Sequence, residues 1–216
     1  MEEILKHLSE EKRDKIINSA IEEFSRCPFE KASTNKIVQN AGISKGLLFH
    51  YFRSKKELYE KLVVFVINKL TEMISSRIDW DETDIFQRIK ELIIMKVEMS
   101  KEYPKMFDFI LKVLEEKDVK TQKEVYQLYE DYGLNIKTIV SDVFSKNVDF
   151  TLFKESSDIE LKINIIRWTL EKYSEELLEL YRKQNSVANL DLNEMTEKID
   201  EYINILKAAF YRGEEK

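Results

Sequence analysis

The stretch with the most distinctive chemistry runs from Lys31 to Lys56 and contains no acidic residue, in a chain with 41 Asp and Glu among 216 residues. Its basic residues are Lys31, Lys36, Lys45, Arg53, Lys55 and Lys56. Clustered positive charge without neighbouring acids attracts a polyanion such as the phosphate backbone of a nucleic acid. We therefore expect this stretch to bind a polyanion.

A sharp corner divides this stretch at Ala41-Gly42-Ile43-Ser44. Apolar residues recur at helical spacing on both sides of it: Ile37, Val38 and Ala41 before the corner, then Ile43, Leu47, Leu48, Phe49 and Phe52. A glycine between two short helical patterns is typical of a helix-turn-helix. Ser33–Lys56 is therefore predicted to form two helices and a tight turn that together read DNA.

Composition limits the fold class. Four Gly, two Pro and 35% charged residues leave few turn formers, which favours an all-α protein over one built from sheets. The net charge of −6 at first argues against nucleic-acid binding, but residues 1–56 carry 11 Lys and Arg against 8 Asp and Glu. A basic head on an acidic body resolves the contradiction.

Other classes of protein find little support. Cys27 is the only cysteine, and the longest strictly apolar run, Leu62 to Ile67, is far shorter than the ~20 residues of a membrane span. We expect a cytoplasmic protein with no signal peptide. The sequence has no Gly-rich phosphate loop, no GxSxG and no His/Cys/carboxylate cluster with ligand spacing. We therefore predict neither catalysis nor a metal site nor a cofactor.

Three short helices are expected to hold the basic stretch in place. The first begins after Ser9 and ends before Pro28, and Ser33 and Ser44 are the predicted N-caps of the second and third. A fourth helix opens at Ser54 with a capping box completed by Glu57 and is predicted to reach about residue 77. Its apolar residues cover more than one side, so it should connect head and body as a rigid link.

The remaining chain predicts a larger helical body. Helical patterns cover about residues 85–99, 104–114, 121–146, 156–183 and 193–211. The pattern at 156–183 has two apolar stripes, one of which contains Leu161, Ile165 and Trp168, and both are predicted to be buried. We divide the chain into a helix-turn-helix DNA-binding domain at residues 1–53 and a ligand-binding and dimerisation domain at residues 54–216.

Residues 9–60 resemble the DNA-binding domain of the TetR (tetracycline-repressor) family of transcriptional regulators. The residues that carry this resemblance are Ala20, Phe24, Thr34, Ile37 and Val38, the run Ala41-Gly42-Ile43-Ser44-Lys45-Gly46, then Leu48 through Phe52, Ser54, Lys55 and Leu58. The resemblance implies an all-α protein of about nine helices, with a three-helix head on a helical-bundle body. It also implies a homodimer formed by the last two helices, a roughly palindromic double-stranded operator and an effector pocket in the body.

The resemblance also implies roles for individual residues of the head. Lys45, Gly46, Leu47 and His50 would face base edges, and Tyr51 and Lys55 would hold phosphates. Thr34 would touch the DNA backbone or a base, Asn35 stands where family members often carry a base-reading side chain, and Ser44 would lie beside the DNA at the start of the third helix. Lysine at the N-terminal end of a reading helix suits base contact. Lys36, Arg53 and Lys56 could contact phosphate or be solvated, and the sequence leaves both open.

In the body, five residues are candidates for an effector pocket: Met99, Tyr103, Phe107, Tyr129 and Trp168. Ligand pockets favour apolar and aromatic linings, although each of these side chains could equally be ordinary core. The leading hypothesis is a DNA-binding regulator, with a repressor favoured, whose operator binding responds to a small molecule. The alternative is a helical ligand-binding or adaptor protein that keeps a relic DNA-binding head.

Overall fold

The computed structural model describes residues 1, 3–115, 123, 127, 136–154, 158–184, 186–189 and 191–212. These residues contain nine α-helices, in agreement with the predicted all-α fold of about nine helices. They are α1 Glu10–Arg26, α2 Thr34–Ala41, α3 Lys45–Tyr51, α4 Lys55–Ser75, α5 Ile85–Glu102, α6 Pro104–Glu115, α7 Ile136–Ser145, α8 Ile159–Gln184 and α9 Leu192–Phe210. Within this part of the chain, no helix is long and apolar enough to cross a membrane.

Packing divides the chain into two compact units. The first unit consists of residues 1–71 and 103–134, and the second of residues 72–102 and 135–216. Helix α6 therefore packs with the head, and the division falls inside α4 rather than before it. The functional boundary drawn at residues 53 and 54 remains a prediction, because it concerns roles rather than packing.

The first unit is built on the apolar face of α1. Ile16, Ala20 and Phe24 are almost completely buried there. The ring of Phe24 lies 5.0 Å from that of Tyr59 on α4, which in turn lies 5.8 Å from Phe109 on α6. These aromatic contacts join α1, α4 and α6 in one core, so the head shares its centre with a helix from the middle of the chain.

An ion pair adds to the packing of α6 on α1. The ammonium of Lys105, in the first turn of α6, lies 3.0 Å from the carboxylate of Glu22. Both side chains keep solvent contact, so this pair contributes less than about 1 kcal/mol and orients α6 more than it stabilises it.

The second unit has a separate core formed by α5, α7, α8 and α9. The ring of Tyr211 packs edge to face against two others, with its centroid 5.0 Å from that of Phe86 and 4.9 Å from that of Phe153. An isolated antiparallel bridge pairs Phe153 with Tyr211 just after α9. The end of α9 is thereby attached to the segment that precedes α8.

Arg88 is buried in this second unit and makes its bonds to main-chain oxygens. Its guanidinium donates to the carbonyls of Val143 at 3.2 Å and Lys146 at 2.7 Å, at the end of α7, and also to the carbonyl of Glu82. It lies 5.9 Å from the ring centroid of Trp80. The last carbonyls of a helix are its negative pole, so a buried cation here both caps α7 and is stabilised by it.

Asp84 connects the start of α5 to the end of α9. Its carboxylate accepts the amide N–H of Phe86, a bond of 2.8 Å from the hydroxyl of Tyr211 and one of 2.6 Å from the ammonium of Lys207. Burial by itself raises the pKa of Asp84, but these bonds together outweigh it and hold the pKa below the ordinary value. The ionised carboxylate is therefore the form that stabilises the fold.

This lowered pKa predicts acid sensitivity of the second unit. Stability from Asp84 is present above its unfolded-state pKa and is lost as the pH falls through the folded-state pKa, so the loss is expected below about pH 4. Urea unfolding of the wild-type chain between pH 6 and about pH 3 measures it. In Asp84→Asn the acid-dependent part of the loss should shrink; an unchanged pH profile would contradict the assignment.

Candidate nucleic-acid interface

The corner of the helix-turn-helix is formed by the backbone of Gly42. Its φ of 66° and ψ of 35° place it in the left-handed region, which strains any residue with a side chain. Its N–H bonds to the carbonyl of Gln39, and the N–H of Ile43 bonds to that of Val38 at 3.0 Å. A Cβ added at Gly42 would meet nothing within 4 Å, so the backbone angle and not a lack of space requires glycine.

Helix α3 is fixed at its start and along its inner face. The hydroxyl of Ser44 accepts the N–H of Leu47 at 3.1 Å, the capping bond that the sequence predicts. Leu48 and the C-cap Phe52 are 1% and 0% exposed. Because these two anchors determine how the helix is rotated, the opposite face must point into solvent.

The predicted base-reading residues lie on that opposite face. Lys45, Gly46 and His50 are exposed, and Leu47 is partly buried. A Cβ at Gly46 would meet nothing nearer than the Ser44 hydroxyl at 3.9 Å. The packing of the protein itself therefore does not require glycine at this position, which leaves a flat surface where an external partner can approach closely.

The other predicted contacts divide between the two helices of the motif. Thr34 and Asn35 form the first turn of α2, the former partly buried and the latter exposed. Ser44 is exposed at the start of α3, and Tyr51 is partly buried at its end, with its ring 5.2 Å from that of His50. Thr34 and Asn35 thus lie at the start of α2, and Ser44 and Tyr51 at the two ends of α3.

Two carboxylates fix backbone amides next to this surface; Glu23 was not predicted, whereas Glu57 was predicted as the acid of a capping box. Glu23 is 4% exposed on α1 and accepts the N–H of Ser33 at 2.8 Å, while Lys36 lies 4.0 Å from its second oxygen. Glu57 accepts the N–H of Arg53 at 3.0 Å. An acid among the apolar positions of α1 was the sequence signal for Glu23, since a buried carboxylate needs a donor.

The resemblance implies that Lys55 contacts a DNA phosphate, but the structure directs its side chain at the protein. Its ammonium donates to three main-chain carbonyls, those of Phe29, Glu30 and Ala32, at 2.9, 3.1 and 3.3 Å. It points toward the protein and lies 4.5 Å from the ring centroid of Phe29. The two basic neighbours Arg53 and Lys56 are exposed.

The candidate effector-pocket residues lie in different environments. Met99 is buried in the second unit, while Tyr103 and Phe107 are partly buried in the first unit. Tyr129 lies outside the described residues. Trp168 is 62% exposed on the outside of α8, which suits a protein partner better than an enclosed ligand.

Trp168 belongs to an exposed apolar surface that we call the α8 stripe. Its members follow one another at helical spacing and include Leu161 at 61% exposure and Ile165 at 42%, with Ile205 of α9 exposed at 67%. A shallow groove of about 390 Å³ runs beside the stripe and is lined by Ile165, Trp168, Thr169, Lys172, Tyr173, Glu176 and Tyr202. The sequence predicted this stripe to be buried, but a single chain leaves it in solvent.

The head defines a class of protein: a helix-turn-helix protein whose second helix presents an exposed, acid-free outer face. Residues 16–62 match the family model of tetR family bacterial regulatory proteins. The regulator RutR of Escherichia coli K12 is 30% identical over 95 residues, which are 43% of each chain. The chain spans about half the length of several curated relatives that it matches.

Solved structures support the same fold along nearly the whole chain. A TetR family transcriptional regulator from Chloroflexus aurantiacus superposes with a TM-score of 0.60 at 19% identity and covers 98% of both chains. The regulator FadR from Bacillus subtilis, solved in complex with stearoyl-CoA, superposes with a TM-score of 0.61 at 14% identity over 90% of this chain and 97% of its own. Residues 16–62 therefore match the TetR family, and the chain as a whole has the fold of TetR family regulators.

Proposed function

We propose that this protein is a transcriptional regulator that binds duplex DNA through α3. The observation that carries the proposal is the outer face of α3, where Lys45, Gly46 and His50 are exposed on a helix fixed from behind. Lys45 and His50 would donate to base edges in the major groove, and Leu47 would meet a thymine methyl. Tyr51 and Thr34 would hold phosphates and set the register, with Asn35 and Ser44 beside them.

A second copy of the chain is the proposed partner of the α8 stripe. Monomeric proteins seldom expose a continuous row of large apolar side chains, and α8 has 26 residues, a length of about 39 Å along which a twin can pack. The stripe lies beside α9, so the dimer would use the last two helices. Two heads would then meet half-sites about one DNA turn apart, or a multiple, on a roughly palindromic operator.

A small-molecule effector in the body is proposed to control the heads. FadR, which has this fold, was solved in complex with stearoyl-CoA, so a protein of this fold can bind a small molecule. Two helices offer coupling: α4 has residues in both compact units, and α6 packs on α1 through Lys105 and Phe109. To release the operator, the effector must prefer the state of the body whose heads do not bind DNA. The proposed regulator is a cytoplasmic repressor that such an effector removes from its operator.

The test is a band shift with a pool of random duplexes and with the DNA upstream of the gene itself. We expect binding that weakens steeply as salt rises, and selected sequences that are roughly palindromic. Lys45→Ala should change the sequence preference rather than uniformly weaken all sites. No salt-sensitive binding to any sequence would sink the proposal, and binding would exclude a relic head.

Gly46→Ala is predicted to separate DNA binding from folding. The methyl group has space within the protein and alanine favours a helix, so the free energy of unfolding should stay the same or rise by up to about 1 kcal/mol. Operator affinity should fall at least tenfold, since the backbone can no longer approach the groove as closely. Titration by fluorescence anisotropy measures this affinity.

Gly42→Ala is the matched control. It forces a side chain into the left-handed region and should therefore reduce stability without altering the outer face of α3. If Gly46→Ala bound DNA as tightly as wild type, α3 would not approach the groove closely at this position.

A further inference from the structure

The turn that leads into α2, residues 28–33, determines where the DNA-facing start of that helix lies. A short 3-10 helix at Phe29–Lys31 is closed by bonds of 3.0 Å from the N–H of Lys31 to the carbonyl of Pro28 and 3.2 Å from that of Ala32 to Phe29. Ser33 follows, and its side chain makes no capping bond. The start of α2 therefore depends on contacts from elsewhere in the first unit. We call residues 28–33 the entry turn.

Lys55 supplies one of these contacts from the first residue of α4. Its ammonium has three N–H donors, and three carbonyls of the entry turn lie within 2.9 to 3.3 Å of it. The phenyl ring of Phe29 covers the same cation at 4.5 Å. Every donor of Lys55 is thus directed at the protein, and in this geometry none is left for a DNA phosphate.

Glu23 supplies the contact on the other side. Its buried carboxylate accepts the N–H of Ser33 at 2.8 Å. The entry turn therefore directs carbonyls at a cation on α4 and an amide at an anion on α1. These contacts from α1 and α4 fix the entry turn. Because Thr34 and Asn35 follow it directly in the chain, the entry turn also determines where they lie.

We infer that Lys55 is a positioning residue, which holds the entry turn and thereby aims the first turn of α2 at DNA. This differs from the phosphate contact that the resemblance implied for it. The inference rests on the proposed DNA binding, but its geometry is a property of the free protein. A phosphate contact and a positioning role predict different salt dependence of DNA binding. Each phosphate contact adds about 0.9 to the magnitude of the slope of log K against log salt, whereas a positioning residue adds nothing.

The experiment compares wild type with Lys55→Met on a duplex of about 30 base pairs taken from the DNA upstream of the gene, titrated at a series of salt concentrations. Affinity should fall about tenfold at every salt concentration with an unchanged slope. Without DNA, hydrogen exchange of the Ser33 and Ile37 amides should become faster. A slope lower by about 0.9, or exchange identical to wild type, would overturn the inference.

Two further variants keep the result interpretable. Lys56→Gln removes one positive charge from the next residue, which is exposed beside Glu60, and should leave amide exchange in the entry turn unchanged. If Lys55→Met does not fold, Lys55→Gln keeps two N–H donors and should show the same pattern with a smaller loss. Wild type that bound no DNA would contradict the proposed function alone, since the exchange measurement would still decide the role of Lys55.

Discussion

Trp168→Asp is expected to dissociate the proposed dimer, with the dissociation constant rising at least 100-fold. A large aromatic residue at the centre of an interface commonly contributes 2 kcal/mol or more, and a buried unpaired carboxylate adds a desolvation penalty. The side chain is 62% exposed in the single chain, so the fold itself should survive the change. Analytical ultracentrifugation measures the dissociation constant, and circular dichroism checks the helix content.

Loss of the dimer should also weaken operator binding. In a dimer, binding of one head holds the second head at a high effective concentration near the other half-site. A monomer loses this effect, so its affinity for a palindromic site should fall by about 100-fold or more. Leu114→Asp is the control, because Leu114 is an exposed apolar residue, at 47%, that belongs to α6 of the first unit and not to the α8 stripe. An unchanged dissociation constant in Trp168→Asp would show that the stripe is not the interface.

Arg88→Met is expected to destabilise the second unit by about 3 kcal/mol or more. Methionine can replace the aliphatic stem, but it leaves the carbonyls of Val143 and Lys146 without their buried donor. Replacing both sides of a buried polar contact can be neutral, whereas removing one side leaves the other desolvated and unpaired. Arg88→Met removes only the donor, because the accepting main-chain carbonyls are present whatever the side chains are.

Urea unfolding followed by tryptophan fluorescence measures this loss, since Trp80 lies against the guanidinium of Arg88. Arg77→Met is the control: Arg77 is paired with Glu102 at 3.7 Å on the surface, and its loss should cost less than about 1 kcal/mol. A cost below about 1 kcal/mol for Arg88→Met as well would mean that the carbonyls find water or other donors.

Local features were predictable where a few neighbouring residues decide the conformation. The corner at Gly42, the Ser44 cap and the bond from the Glu57 N–H to the Ser54 hydroxyl at 3.0 Å all involve residues within five positions of each other. The second half of the capping box differs in detail, since the Glu57 carboxylate bonds the N–H of Arg53 rather than that of Ser54. The predicted end of α4 near residue 77 was two residues late.

Contacts between distant residues were not predictable in the same way. Lys55 meets carbonyls 23 to 26 positions earlier, and Arg88 meets carbonyls 55 and 58 positions later. A lysine in a basic stretch has the same sequence signature whether its ammonium faces solvent or the protein. Only the packing of α4 against the entry turn distinguishes these two orientations.

The sequence by itself determined the class of fold and the helix-turn-helix, because helical periodicity and turn chemistry act over one or two turns of chain. The outward-facing residues of α3 were expected from the family resemblance. The tertiary structure decided which apolar stripe of α8 stays exposed, that α6 packs on α1, and that Lys55 faces the protein. Burial and hydrogen bonding at these positions depend on elements brought together from far apart. Such proximity is a property of the folded chain and has no local pattern that encodes it.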